Sequence, residues 1–329
     1  MRAAFYERTG AARDVLQLGD VPDPQPGAGE VRVRLQWSGV NPSDVKSRAG
    51  LRSSTLPFPR IVPHSDGMGV VDAVGAGVDP GRIGQRVWIW NGAWGRPFGT
   101  AAEFIVLPQR QAVPLPDAVA GEVGACLGIP ALTALHAVLM DGGVAGKTVL
   151  VAGGAGAVGH YAVQFARRLG ARHVVATVSS ETKAALARSA GAETVIDYRR
   201  ENVAERLRAA VGAGGVDRIV EVDFAANAAL DLELLKPGGD CVVYGSGAPQ
   251  FTLPFFPLIV KNVRLRFFIV YNLAEDERRV AEETLQRLLV AGDLVHNVAA
   301  RLPLERIAEA HEQVEQGRVA GNVVLSIGR

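Results

Sequence analysis

The segment VLVAGGAGAVGHYAVQFARRLGA, Val149–Ala171, restricts the fold more than any other part of this 329-residue chain. An apolar strand runs directly into three glycines spaced G-x-x-G-x-x-G, and these run directly into a helical pattern. In that order the turn becomes a cradle for phosphate. Gly153 permits the tight turn, Gly156 lets a pyrophosphate approach the backbone, and Gly159 lets helix and strand pack closely. Ala155, Ala157 and Val158 lie among them, where the free N–H groups and positive dipole of a helix start favour an anion. A kinase-type loop does not fit, because the only GKT, Gly146–Thr148, precedes the strand. The expected ligand is a dinucleotide; the alternative is a glycine-rich turn that holds nothing.

The chain around this turn alternates strand and helix. KTVLVAG, HVVATV, TVID, DRIVEV and GDCVVYG read as strands. Helices are expected at Ala157–Leu169, Glu181–Ala190, Asn202–Val211, around Ala228–Leu235 and over about Asp276–Ala291. Such alternation means βαβ units and a doubly wound parallel sheet. The first third reads differently. EVRVRLQWSGV, GVVDAVGAGV, GQRVWIW and TAAEFIVLP are short strands punctuated by Gly and Pro, as in a compact β-rich barrel. Residues 117–140 read as helical, with Asp117 as N-cap. VRLRFFIVY resumes as a strand, and NVVLSI is a late one. The expected layout is a β-rich domain over 1–121, completed by 272–329, and a nucleotide-binding domain over 122–271.

Composition narrows the function classes. A formal net charge of +1 provides no field to recruit nucleic acid or anionic lipid. The apolar window Val123–Met140, interrupted by Gly128, Pro130 and His136, reads as a buried helix rather than a membrane span. Two cysteines, Cys126 and Cys241, cannot build a cysteine-rich zinc lobe, and no signal peptide is evident, so a reducing cytoplasmic setting is expected.

The end of the second strand of the alternating region discriminates between cofactors. An NAD site usually carries an acid there for the ribose 2′-hydroxyl. Here the sequence is ATVSSETK. Thr177, Ser179 and Ser180 offer hydroxyls and Lys183 a cation, which suits the 2′-phosphate of NADPH. Lysine occurs at only five positions, so its location here is informative. Tyr198 and Arg199 fall after the next strand and are candidates for the same adenine end. Glu181 opposes this reading if it points inward, and a solvated Lys183 is the plain alternative.

With these residues in place, the chain resembles the zinc-free quinone oxidoreductase (zeta-crystallin-like) branch of the medium-chain dehydrogenases/reductases. The resemblance rests on SGVNPSDVKSRAG, DGMGVVDAVGAGV, GIPALTA, the glycine turn, GAETVIDYR, LLKPGGDCVVYGS and PLERIAEAHEQVEQGRVAGNVVLSI, in that order. It implies a GroES-like catalytic domain, a Rossmann domain, NADPH in the cleft between them, and homodimers or homotetramers. It implies further cofactor contacts at Gly245 and Ser246, at Phe268 and Val270 on a strand facing the carboxamide, and at Asn322, where relatives often have Lys.

Zinc-dependent relatives carry a catalytic metal, and the resemblance locates each ligand position. Asn41 stands at the first Cys, Ser65 at the His, and Ile129 at the second Cys. Asn, Ser and Ile cannot supply three ligands, so no metal is expected. His64, beside Asp66, reads as a structural histidine. Without a Lewis acid, alcohol oxidation is disfavoured, whereas quinones and α,β-unsaturated carbonyls are already electrophilic. Asn41 is the first candidate for a polar contact with substrate, with Asp44 orienting it; a plain NPSD turn is the alternative. Lys46 replaces a pocket Tyr of relatives. In WIWNGAWGRPFG, Trp94 and Phe98 suit the walls of a pocket for a planar ring, and Trp88 and Trp90 suit the core. The activity expected is NADPH-dependent quinone reduction. An alkenal, enone or enoyl-thioester double-bond reductase is the alternative, and a cofactor-binding protein without turnover a third.

Overall fold

The computed structural model describes residues 1–328. The chain forms two compact units: Met1–Ile129 together with the segment from Gln286 onward, and Pro130–Leu285.

The first unit opens on an antiparallel pair, β1 (Arg2–Phe5) and β2 (Gln17–Asp20), with the turn α1 (Ala12–Val15) between them. The long strand β3 (Glu30–Val40) follows, then α2 (Pro42–Arg48), β4 (Asp66–Val74), β5 (Arg86–Ile89), β6 (Phe104–Pro108), β7 (Ala112–Pro114) and α3 (Gly121–Gly124). In β3, Val31, Val33 and Leu35 are buried and the residues between them are not, the period-two pattern of a strand with one face on a core. That core gathers valines, leucines and isoleucines from β3, β4, β5 and β6.

The second unit begins with α4 (Leu132–Leu139). It continues as β8 (Thr148–Val151), α5 (Ala157–Arg168), β9 (His173–Val178), α6 (Glu181–Ser189), β10 (Thr194–Asp197), α7 (Val203–Val211), β11 (Val216–Glu221), α8 (Phe224–Leu234), β12 (Leu235–Val243), α9 (Phe255–Lys261) and β13 (Arg264–Phe267). The strands pair in parallel in the order β10-β9-β8-β11-β12-β13. The order reverses between β8 and β11, the point at which open sheets of this kind bind ligands beyond their carboxyl ends. The run Thr148–Val151 is buried throughout, as a central strand covered on both faces must be.

The chain then forms α10 (Glu275–Ala291), β14 (Val298–Pro303), α11 (Ile307–Glu315) and β15 (Asn322–Ser326). The sheet of the first unit is ordered β14-β15-β3-β4-β5-β7, with β6 also paired to β3. The strand β15 therefore lies between β14, parallel to it, and β3, antiparallel to it.

Three local expectations are corrected. No single helix spans 117–140: α3 is followed by a π-type turn over Leu127–Ala131 and only then by α4, because Pro130 lacks the N–H that a continuous helix requires. Phe268 and Val270 are not on a strand; β13 stops at Phe267, and Val270 begins a 3-10 turn. The helix expected around Ala228 starts earlier, at Phe224.

Candidate cofactor and substrate sites

In the second unit the glycine turn joins β8 to α5. Gly153 has φ +67°, a left-handed backbone that glycine adopts without steric cost. Its N–H donates to Thr177 Oγ1 at 3.2 Å, and the Gly154 N–H donates to the Thr177 carbonyl at 3.0 Å, so β9 holds the turn. A Cβ on Gly159 would lie 2.2 Å from the Gly153 carbonyl oxygen. Gly156 is the N-cap of α5 and provides no side-chain cap. The first N–H groups of a helix have no intrahelical partners, and here they face an uncapped turn, which fits a pyrophosphate.

The loop after β9 settles how Glu181 and Lys183 point. Ser180 caps α6 by accepting the Lys183 N–H at 3.3 Å. Lys183 Nζ donates to Ser179 Oγ at 3.0 Å, so the cation lies against the loop and not out in solvent. Glu181 is largely exposed and pairs with Arg188 at 2.6 Å, which holds its carboxyl below the usual glutamate range. The acid that would repel a 2′-phosphate is thus turned to an arginine of its own helix. Tyr198 stands exposed just past β10, and the Arg199 N–H donates to Asp197 Oδ1 at 3.0 Å.

Past β12, Gly245 sits so close to β11 that a Cβ would lie 2.2 Å from the Val222 carbonyl oxygen. Ser246 Oγ donates to the Ala248 carbonyl at 2.7 Å. The Phe268 ring meets His136 edge-on at 4.7 Å, and the Val270 carbonyl accepts a hydrogen bond from Arg278 at 2.6 Å. A buried acidic group escaped the sequence reading. Glu221, at the carboxyl end of β11, accepts from the Asp223 N–H at 2.5 Å and from Asn227 Nδ2 at 3.0 Å. Burial and Glu221 push Asp231 up to about 8. Burial, with Asp231 and Glu221 nearby, pushes the Cys241 thiol up as well. The available signal was a glutamate inside the otherwise apolar run IVEV.

In the first unit, Asn41 follows β3 and caps α2. Its backbone N–H donates to Asp44 Oδ2 at 2.8 Å, and its side-chain Nδ2 donates to Asp66 Oδ2 at 2.9 Å. The Ile129 N–H donates to the same Asp66 oxygen at 3.1 Å. Two of the three positions that would carry zinc ligands therefore meet on one carboxyl group. The third, Ser65, is buried, and its hydroxyl accepts a long hydrogen bond from the Ala93 N–H at 3.4 Å. Burial raises Asp44 to about 7 and carries Asp66 well above the usual aspartate range. His64 is fully buried, hydrogen-bonded through Nδ1 to Ser38 at 2.8 Å and through Nε2 to His311 at 2.9 Å. Both ring nitrogens are engaged, as in a structural histidine.

Lys46 lies half-buried on α2. Trp88 and Trp90 are buried, whereas Trp94 and Phe98 are 40% and 46% exposed on the following loop, where a side chain is open to a ligand. Asn322 opens β15 and donates through Nδ2 to the Asn297 carbonyl at 3.1 Å, so that N–H is used within its own unit. Among the described residues, no three His, Cys, Asp or Glu side chains are arranged to hold a metal ion. The donor set at the zinc position, an amide, a hydroxyl and an isoleucine, does not fit a catalytic zinc.

Residues 27–117 match the alcohol dehydrogenase GroES-like domain, and residues 157–287 match the zinc-binding dehydrogenase domain. The quinone oxidoreductase of Homo sapiens is 31% identical over 319 residues, covering 95% of this chain and 94% of that protein. The chain belongs to the quinone oxidoreductase family. Among solved structures, an NAD-dependent alcohol dehydrogenase is 31% identical with a TM-score of 0.90, and all of each chain is covered. The Escherichia coli quinone oxidoreductase complexed with NADPH is 26% identical with a TM-score of 0.87, covering 99% of this chain and 100% of that one. No helix among the described residues is long and apolar enough to cross a membrane.

Proposed function

We propose that the protein is an NADPH-dependent, zinc-independent quinone oxidoreductase. The observation that carries this reading is the pairing of Lys183 with Ser179, together with the turning of Glu181 to Arg188. NADPH is the form of the cofactor that this charge arrangement suits. Gly153, Gly156 and Gly159 with the start of α5 would hold the pyrophosphate, and Ser179, Ser180 and Lys183 the 2′-phosphate. Bound there, NADPH supplies the reducing equivalents.

The first unit contributes a hydrogen-bond donor and a surface for a flat ring. The Asn41 amide is the group we assign to the acceptor's carbonyl oxygen, where negative charge builds up as it is reduced. Asp44 holds the Asn41 backbone, and Lys46 lies two residues further along α2. Trp94 and Phe98 are the flat faces we assign to the substrate ring. The quinone is reduced at the expense of NADPH, which leaves as NADP⁺, and one proton is taken up from water for each hydroquinone formed.

We further propose a homodimer formed through the second unit. The strand β13 is the last of its sheet, and the neighbouring α9 exposes Phe255 (74%), Phe256 (70%) and Val260 (59%). An open edge beside bared phenylalanines is the arrangement that chains normally cover. The cytoplasm is the compartment we assign, in keeping with two free, buried cysteines.

The purified protein is mixed with NADPH and a panel of ortho- and para-quinones, and the nicotinamide absorbance is followed. Quinone-dependent oxidation is expected. No turnover with any quinone, alongside saturation of enals or enones, rejects the assignment in favour of a double-bond reductase.

A further inference from the structure

The Asp66 carboxyl is buried and held on three sides. Its Oδ2 accepts the Asn41 Nδ2–H and the Ile129 N–H, while its Oδ1 lacks a hydrogen-bond partner. A Cβ on Gly128 would lie 2.4 Å from that Oδ1 and 2.6 Å from the Ile89 carbonyl, so glycine backbone closes the slot around the group. The Ile129 N–H is a donor that cannot be turned around. It keeps Oδ2 an acceptor, and Asn41 meets Oδ2 with its nitrogen.

The backbone that delivers Asp66 is itself fixed. His64, two residues earlier, has φ +77°, a left-handed conformation uncommon for a residue with a side chain and maintained where the surroundings hold it. Thr100 supplies that constraint. Its N–H donates to the His64 carbonyl at 2.9 Å, and its hydroxyl donates to the Asp66 carbonyl at 2.5 Å. Because a carbonyl can only accept, the rest of the chain of hydrogen bonds has one direction. Ser38 donates to Thr100 Oγ1, His64 Nδ1–H donates to Ser38, and His311 Nε2–H donates to His64 Nε2. Both rings are neutral, each with a single tautomer, and the whole chain ends on the backbone of Asp66.

We infer that Asp66 is a positioning residue: its carboxyl group, fixed by the His64 turn and the Ile129 N–H, holds the Asn41 amide in the one orientation that serves the acceptor. The inference rests on the reading of Asn41 given above. Asp66 touches no reacting atom in this role and acts only through Asn41.

The test is a double-mutant cycle on the full chain with NADPH and a quinone, using N41A, D66A and D66N singly and each Asp66 variant combined with N41A. Melting temperatures are recorded alongside kcat and KM. Displacing a group by about an ångström costs on the order of a hundredfold, so D66A is expected to lower kcat roughly ten- to a hundredfold. Adding D66A to N41A should lower kcat no further than N41A alone. D66N, which offers an oxygen to the same two donors, should recover part of the turnover. A residue of purely structural importance would instead lower the melting temperature and multiply its effect with that of N41A. If D66A does not fold, D66N and its combination with N41A carry the same comparison. The proposal is overturned if the Asp66 variants leave kcat unchanged, or if their effects multiply with N41A, while N41A itself is impaired. If N41A turns over as the wild type does, the reading of Asn41 falls, and the role of Asp66 falls with it.

Discussion

The two glycines that open and enter α5 do different work, and substituting each by alanine separates their roles. At Gly156 φ is −74°, which any residue adopts, and the nearest protein atom to a new Cβ is the Gly153 carbonyl oxygen at 3.3 Å. The fold therefore tolerates G156A. The expected stability cost is at most about 1 kcal/mol, that of an alanine at an N-cap. At Gly159 the same Cβ meets the Gly153 carbonyl oxygen at 2.2 Å, with the Gly153 carbonyl carbon at 2.8 Å and Gly154 Cα at 3.0 Å. All three are backbone atoms, so relief requires α5 to move away from the turn by roughly an ångström, and overpacking of that kind costs about 1–3 kcal/mol. Both variants are titrated with NADPH by cofactor fluorescence and melted without it. G156A should melt within a few degrees of the wild type yet bind roughly tenfold more weakly, because its methyl occupies the space where the pyrophosphate approaches. G159A should lose both stability and affinity. Wild-type affinity in G156A would refute the assignment of this turn to a phosphate ligand, since nothing in the protein itself requires a glycine there.

Three further outcomes are expected. Replacing Lys183 by alanine should raise KM for NADPH on the order of tenfold and leave KM for NADH within about twofold, as measured in parallel steady-state assays; equal loss for both cofactors would remove the 2′-phosphate role. Arg218, with no exposed surface, forms a two-pronged pair with Asp240 and also donates to the Ala137 and Val138 carbonyls. R218A strands that buried carboxylate, with only Arg264 and Lys147 left near it, and should cost about 3 kcal/mol in urea unfolding. Asp44 is raised by burial to about 7, so the folded state keeps a proton that the unfolded chain releases above its ordinary aspartate pKa. That proton adds stability as pH falls from 7 towards 4. His64, lowered by burial to about 3, acts in the opposite sense below about pH 6.5, where only the unfolded chain takes up its proton. Relative to wild type, D44N should therefore lose stability on acidification between pH 7 and 4, by about 1.4 kcal/mol per pH unit, in denaturant titrations at stepped pH.

The parallel sheet was legible because KTVLVAG, HVVATV, TVID and DRIVEV are each a short apolar-rich run followed by a helical pattern, and both signals are local. Glu181 was not legible in the same way. Whether that carboxylate faces a phosphate or an arginine two turns along depends on one rotamer, and the sequence ATVSSETK is the same in both cases. The zinc position shows a similar division. The replacements Asn41, Ser65 and Ile129 can be read directly from the residues, but the fact that Asn41 and Ile129 share one oxygen of Asp66 is a matter of three-dimensional closure over residues far apart in sequence. The hydrogen bond from His311 to His64, which joins residues on either side of the whole second unit in sequence, was beyond any local pattern. The helix expected over 117–140 failed for a local reason that competed with its hydrophobicity, the missing N–H of Pro130.

The place of β15 bears on how the molecule is made. A chain emerging from the ribosome completes every strand of the parallel sheet before residue 268, and the second unit has all of its parts at Leu285, while about forty residues are still to come. The first unit begins earlier and finishes later. Its longest strand, β3, waits beside an unfilled edge until Val323–Ser326 arrive to pair with Trp37–Val40, and His64 waits for His311. Synthesis therefore passes through a stage with the second unit finished and the first still open, and a stop codon shortly before Asn322 would leave the molecule at that stage.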